Sequence, residues 1–236
     1  MKNSNIPAIT RSQMAEIDAS MIHEYGINLL QMMENAGRNL ADLCRRKLSV
    51  ELEKSKILVV CGGGNNGGGG MAAARHLYNW GAHVTVALAT ELQTMKDAPK
   101  HQMLSLKKIG LIVEDVIPSR KYQMVVDALI GYGLRGSPQG MYAKWIEWIN
   151  NQDSPRISLD IPSGLDADSG KPSGVCVKAD ATLTLALPKV GMMTAEAKKY
   201  VGELYLADIS VPKTLIRRFI GNIPDFFVAD TIVKIL

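Results

Sequence analysis

Short apolar runs recur along the chain, separated by stretches in which apolar residues follow a helical period. The runs KILVVC (56–61), HVTVALA (83–89), GLIVEDV (110–116), MVVDALI (124–130), RISLD (156–160), ATLTLAL (181–187) and ELYLAD (203–208) read as strands. Several are apolar at successive positions, as in a parallel sheet covered by helices on both faces. Met71 to Trp80, Lys96 to Lys108 and Gly140 to Asn150 read as intervening helices. Upstream, Thr10 and Gln13 have capping-box spacing, Met14, Ile17 and Met21 share a helical face, and Gly26 is placed to end that helix. A second helix is predicted from Asn28 to Lys47, with Leu29, Met33, Ala36, Leu40 and Leu43 as its apolar stripe. The expected fold is α/β: a three-layer Rossmann-like sandwich, one domain over residues 1–236, with a mostly parallel central sheet. The last strands are candidates for antiparallel pairing. The N-terminal helices are expected to cover one face or a subunit contact.

Composition narrows the partners. Hydrophobic residues make up 47% of the chain and the net charge is +4, with Lys and Arg scattered. No basic block argues for nucleic acid or a membrane surface. Cys44, Cys61 and Cys176 share no metal-ligand spacing, so buried thiols in a reducing compartment are expected. The N-terminus lacks the apolar core of a signal peptide, and no apolar run is long enough to span a bilayer. A cytoplasmic location is the expectation.

Open α/β sheets bind ligands beyond the carboxyl ends of their strands, which selects three loops. The first, Gly62 to Gly70, follows a strand and is rich in glycine, implying a sharp turn, close approach to a ligand and a phosphate site at a helix N-terminus, against the alternative of a purely structural turn. Gly62, Gly64 and Gly67 satisfy G-x-G-x-x-G, a weak match in so glycine-rich a loop, and Glu91 is a weaker candidate for a ribose-binding acid. A P-loop is disfavoured because no Lys-Ser or Lys-Thr follows. The second loop, Asp127 to Gly136, starts with an aspartate in an apolar strand, which needs a cation, donors or solvent. Capping of a nearby loop is the plainer reading of Asp127. In the third, Asp160 to Gly170, Asp160 suits general acid/base work at a cleft, against the alternative of a rigid turn around Pro162. His76 and His83 read as structural, Trp145 and Trp148 as packed on the sheet or at a contact surface, and Met32 and Met33 as core. Lys189 reads equally as a phosphate-steering or a solvated lysine.

Taken together, these loops resemble the YjeF N-terminal domain, the NAD(P)H-hydrate epimerase family. The motifs are Met14-Ala-Glu-Ile-Asp18, Met33-Glu-Asn-Ala-Gly37, Gly64-Asn-Asn-Gly-Gly68, Asp127-Ala-Leu-Ile-Gly131, Asp160-Ile-Pro-Ser-Gly-Leu-Asp166 and Ala179-Asp-Ala-Thr-Leu-Thr184. The resemblance implies a Rossmann-like homodimer that interconverts the R and S forms of hydrated NADH or NADPH (NADHX, NADPHX), whose nicotinamide ring carries a hydroxyl at C6. A dehydratase accepts one epimer; it is fused downstream in many bacteria and is expected here as a separate protein. By motif, Asn66, Asp127 and Ser163 would hold one potassium ion per subunit. Asn65, Asn66, Gly67, Gly68 and Gly69, then Gly131, Tyr132, Gly133, Leu134, Arg135, Gly136 and Ser137, with Asp160, would bind substrate. Asp160 would also shuttle the proton. The chain departs from the family pattern at Gly69, where aspartate is usual, at Tyr132, where threonine is usual, and at Gly136, where arginine is usual. Gly69 and Tyr132 favour the alternative of a binding module on the same fold. An ordinary NAD-dependent dehydrogenase is a poorer reading, because little chain is left for a substrate domain.

Overall fold

The computed structural model describes residues 6–222 and 225–235. Two helices, α1 (Arg11–His23) and α2 (Leu29–Lys47), open the chain. Both start with reciprocal caps: Thr10 exchanges hydrogen bonds with Gln13, and Asn28 with Gln31. Each such cap contributes about 1 kcal/mol by satisfying orphan helix donors. Gly26, at φ 66°, makes the left-handed turn that separates the two helices.

The sheet follows as β1 (Lys56–Cys61), β2 (His83–Leu88), β3 (Ile112–Glu114), β4 (Met124–Ala128), β5 (Arg156–Leu159), β6 (Ala181–Leu185), β7 (Glu203–Ala207) and β8 (Ile232–Lys234). Its order is β3-β2-β1-β4-β5-β6-β7-β8. Every pairing is parallel except β7 with β8. The antiparallel part is therefore β8 alone, a strand too short to stand out in the sequence, while β7 runs parallel to β6. The helices α3 (Asn65–Asn79), α4 (Asp97–Lys108), α5 (Gly140–Asn150), α6 (Lys198–Val201) and α7 (Lys213–Ile220) complete the chain. Helices α2, α3 and α4 enclose the large core on one face, with Leu40, Met71, Leu77 and Met103 against Val59 and Val126. On the other, Trp145, Ile146 and Ile149 of α5 meet Leu58, Val60 and Val125. Trp145 and Trp148 meet edge to face at 5.6 Å. The three thiols are free and buried. No helix among the described residues is long and apolar enough to cross a membrane.

The glycine run corrects the expectation of a long loop followed by a helix at Met71. The loop is only Gly62–Gly64, and α3 begins at Asn65, so Gly67, Gly68, Gly69 and Gly70 lie inside the helix. None of the glycines from 62 to 70 has positive φ. Their role is close approach. A Cβ on Gly67 would collide with the Gly62 carbonyl, and one on Gly70 with Ala128 Cβ. A Cβ on Gly37 of α2 would stand 2.5 Å from Ala72 Cβ and 2.8 Å from the Gly69 carbonyl, so α2 and α3 touch nearly backbone to backbone. Helix interiors disfavour glycine by roughly 0.5–1 kcal/mol per residue relative to alanine. Here the backbone contact with α2, β1 and β4 outweighs that cost.

Candidate active site

From β1 the chain steps outward to β2 and β3, then returns to place β4 on the other side of β1. That reversal opens a crevice beyond the carboxyl ends of β1, β4 and β5. It contains a cavity of about 540 Å³. Gly64, Asn65, Asn66 and Gly69 form one side, and Gly131, Tyr132, Gly133, Leu134, Arg135 and Ser137 another, with Asp160 below. Gly67, Gly68 and Gly136 are not on the cavity wall: the first two face Gly62 and Met33, and Gly136 makes an exposed turn at φ 70°. Glu91 is exposed and does not line the cavity. Helix α3 points its N-terminus at the cavity, and the N–H groups of Asn65, Asn66 and Gly67 donate to no protein acceptor among the described residues. Unpaired helix-start donors favour an anion. Tyr142 steadies the approach: its hydroxyl accepts from the Gly63 N–H at 3.1 Å.

Asp160 directly follows β5 in the left-handed region, at φ 66°, with its N–H donating to the Leu183 carbonyl at 2.7 Å. Aspartate tolerates this conformation better than bulkier residues. The turn sends its carboxylate into the crevice, where Oδ2 accepts from the Tyr132 N–H at 2.8 Å. Its Oδ1 is ion-paired with Lys189 Nζ, which also donates to Thr184 Oγ1 at 3.2 Å and the Leu185 carbonyl at 3.1 Å. Lys189 is fully buried, so neither alternative drawn from the sequence holds. It compensates a buried carboxylate instead of steering phosphate or facing solvent.

Asp127 sits inside β4, fully buried. Its oxygens accept from Ser163 Oγ (2.6 Å), Ser158 Oγ (2.8 Å), Ser163 N–H (2.9 Å) and Leu129 N–H (3.2 Å). All four donors are neutral, and burial pushes the carboxyl upward from its ordinary range. The Ser163 hydroxyl also accepts from the Ile130 N–H at 2.9 Å. Asp127 and Ser163 are thus brought together, and Asn66 stands across Gly131 from Asp160, since a Cβ on Gly131 would lie 3.2 Å from Asn66 Oδ1 and 2.9 Å from Asp160 Oδ2.

The sequence reading missed the contribution of α1. Arg11, Met14 and Asp18 follow one another at helical spacing, and Met14 and Asp18 line the crevice. Arg11 donates to the Leu134 carbonyl at 2.8 Å and pairs with Asp166, tying the second and third loops together. Asp18 Oδ2 accepts from the Tyr132 hydroxyl at 2.6 Å, and burial pushes the Asp18 carboxyl upward against the opposing pull of that hydrogen bond and of Lys189. The signal was present: a carboxylate on the same helical face as Met14 and Met21.

The chain is similar to known proteins over nearly its whole length. It is 42% identical over 98% of its residues to an NAD(P)H-hydrate epimerase of Dehalogenimonas lykanthroporepellens, spanning 93% of that protein. It is 36% identical over 91% of its residues to an NAD(P)H-hydrate epimerase of Rhodopirellula baltica, spanning 88% of it. A bifunctional NAD(P)H-hydrate repair enzyme of Moorella thermoacetica is 34% identical over 88% of this chain, which spans only 41% of that relative. Among solved structures, yeast ynu0 superposes with a TM-score of 0.84 at 24% identity, covering 97% of this chain and all of that one, a likeness of fold. The family described as YjeF-related protein N-terminus matches residues 29–191, and with relatives of this identity and coverage the chain belongs to that family.

Proposed function

We propose that the chain is an NAD(P)H-hydrate epimerase, an isomerase that interconverts the R and S forms of hydrated NADH or NADPH. The observation that carries the reading is the joining, in one crevice, of unpaired helix-start N–H groups with the buried Asp160–Lys189 pair. The first is chemistry for a pyrophosphate, the second for moving a proton on a bound ring. Relatives bearing that name, aligned over nearly the whole chain, support it. Asn65, Asn66 and Gly69 with the Gly131–Ser137 loop bind the dinucleotide. Asp160 handles the proton when the C6 hydroxyl is lost and regained, and the hydroxyl's departure leaves a planar, cationic ring.

The residues present also fit a monovalent cation. Asp127 has no cationic partner among the described residues, and the Ser163 hydroxyl adds a second hard oxygen. Asn66 Nδ2 is buried without a partner, and exchanging the amide oxygen and nitrogen would turn an oxygen to the same place. Potassium held by Asn66, Asp127 and Ser163 would supply positive charge beneath the substrate loops. The product epimer passes to a further repair activity, a dehydratase, and the active form is a homodimer.

The test mixes NADHX epimers, the purified protein and a dehydratase that consumes only the S form, with and without potassium. Complete, rapid consumption is expected. Conversion no faster than spontaneous epimerisation would overturn the reading. Retained dinucleotide binding would then favour the second reading, a nucleotide-binding module, for which Gly69 speaks by leaving the wall without the family's usual carboxylate.

A further inference from the structure

Asp160 is not the only carboxyl in the crevice. Asp18, from α1, lines the same cavity. Tyr132 spans the two, its N–H on Asp160 Oδ2 at 2.8 Å and its hydroxyl on Asp18 Oδ2 at 2.6 Å. The carboxyls are therefore held apart by the length of one tyrosine, on different elements. Asp18 Oδ1 has no protein partner among the described residues, whereas Asp160 is engaged by Lys189 and by Tyr132.

We propose that Asp18 is a second catalytic carboxyl, acting on the face of the nicotinamide ring opposite Asp160. This deepens the epimerase reading and rests on it. An epimerase must remove and restore a hydroxyl on both faces of one carbon, so a single acid/base group serves only half of the task. In one direction the Asp18 carboxylic acid gives its proton to the C6 hydroxyl. The C6–O bond breaks, its electron pair leaving with water, while the ring-nitrogen lone pair forms the C6–N double bond. Water then adds to the other face, and the Asp160 carboxylate takes its proton. No electron is gained or lost. One proton has moved from Asp18 to Asp160; exchange with water in the open crevice restores both groups between turnovers, and the opposite conversion, with the roles exchanged, also returns it.

The electrostatics suit the division of labour. The groups facing Asp18 are Tyr132, Lys189 and Asp160, while Arg11 on the same helix is occupied by Asp166. Burial is the largest influence on Asp18 and favours its neutral, proton-donating form; Asp160 has the lysine ammonium directly on it. The two carboxyls thus differ in their partners, Asp18 accepting from a tyrosine hydroxyl and Asp160 from an ammonium and a backbone N–H.

The experiment compares wild type, Asp18→Asn and Tyr132→Phe in the coupled NADHX assay across pH, in potassium buffer, with melting temperature and NADH affinity measured alongside. Asp18→Asn should lower kcat by about a hundredfold or more, with KM and NADH affinity little changed, and should remove one limb of the kcat–pH profile. Tyr132→Phe, which deletes a hydrogen bond to the Asp18 carboxylate, should shift that limb to higher pH. If Asp18→Asn will not fold, the shift in Tyr132→Phe decides the matter by itself. Active wild type with an unchanged kcat and pH profile in the variants would overturn the role of Asp18 and leave the epimerase reading standing. Inactive wild type would overturn both.

Discussion

Lys189 Nζ is ion-paired with Asp160 Oδ1 where the two side chains are 0% and 4% exposed. A buried pair of this kind is weak evidence of net stability, but breaking it from one side leaves an uncompensated charge. Lys189→Met should therefore destabilise the protein by about 3–5 kcal/mol in denaturant unfolding. Adding Asp160→Asn to it should recover much of that loss. Equal stability of the single and double variants would show that the pair is not compensated as described.

Asp18 makes a pH-dependent contribution whose sign follows from its upward shift. A carboxyl whose folded pKa lies above its unfolded value opposes folding once pH exceeds the folded value, and ceases to do so below the unfolded one. Asp18→Asn should accordingly stabilise the protein at neutral pH. The gain should fade as pH falls through the ordinary carboxylate range. Melting temperatures of the two proteins at several pH values check this, and a gain that grows toward acid would contradict it.

Potassium should raise the melting temperature, because it would neutralise a fully buried aspartate that has only neutral donors. Potassium chloride and tetramethylammonium chloride at the same ionic strength separate this effect from screening. Asp127→Asn should abolish the difference between the two salts.

The glycines of α3 should differ sharply in tolerance. Gly67→Ala sets a methyl against the backbone carbonyl of Gly62, which cannot yield, and should cost at least the 1–3 kcal/mol typical of overpacking, to which helix propensity adds little relief. Gly69→Ala meets the Leu159 Cδ2 methyl at 2.9 Å, the far end of a flexible side chain, and should change stability by less than about 1 kcal/mol. Thermal or chemical unfolding of the two variants distinguishes a packing role from a merely local one.

Local pattern alone determined much of this protein. Apolar runs located the first seven strands to within a few residues, because burial of both faces of a parallel strand is written into consecutive positions. The caps at Thr10 and Asn28 were equally local: Thr10 was predicted from its spacing, and Asn28 was placed at a helix start. Tertiary structure decided the rest. The glycine run read as a loop because glycine is a poor helix former, yet α3 uses it to approach α2 and β4 closely, a requirement imposed by neighbours distant in sequence. Lys189 could not be told from a surface lysine until β6 and Asp160 closed around it. Asp18 joined the crevice only when α1 packed across the loop carrying Tyr132. Strand and cap signals are local in the chain, whereas the charge balance of a buried site depends on which distant segments the fold brings together.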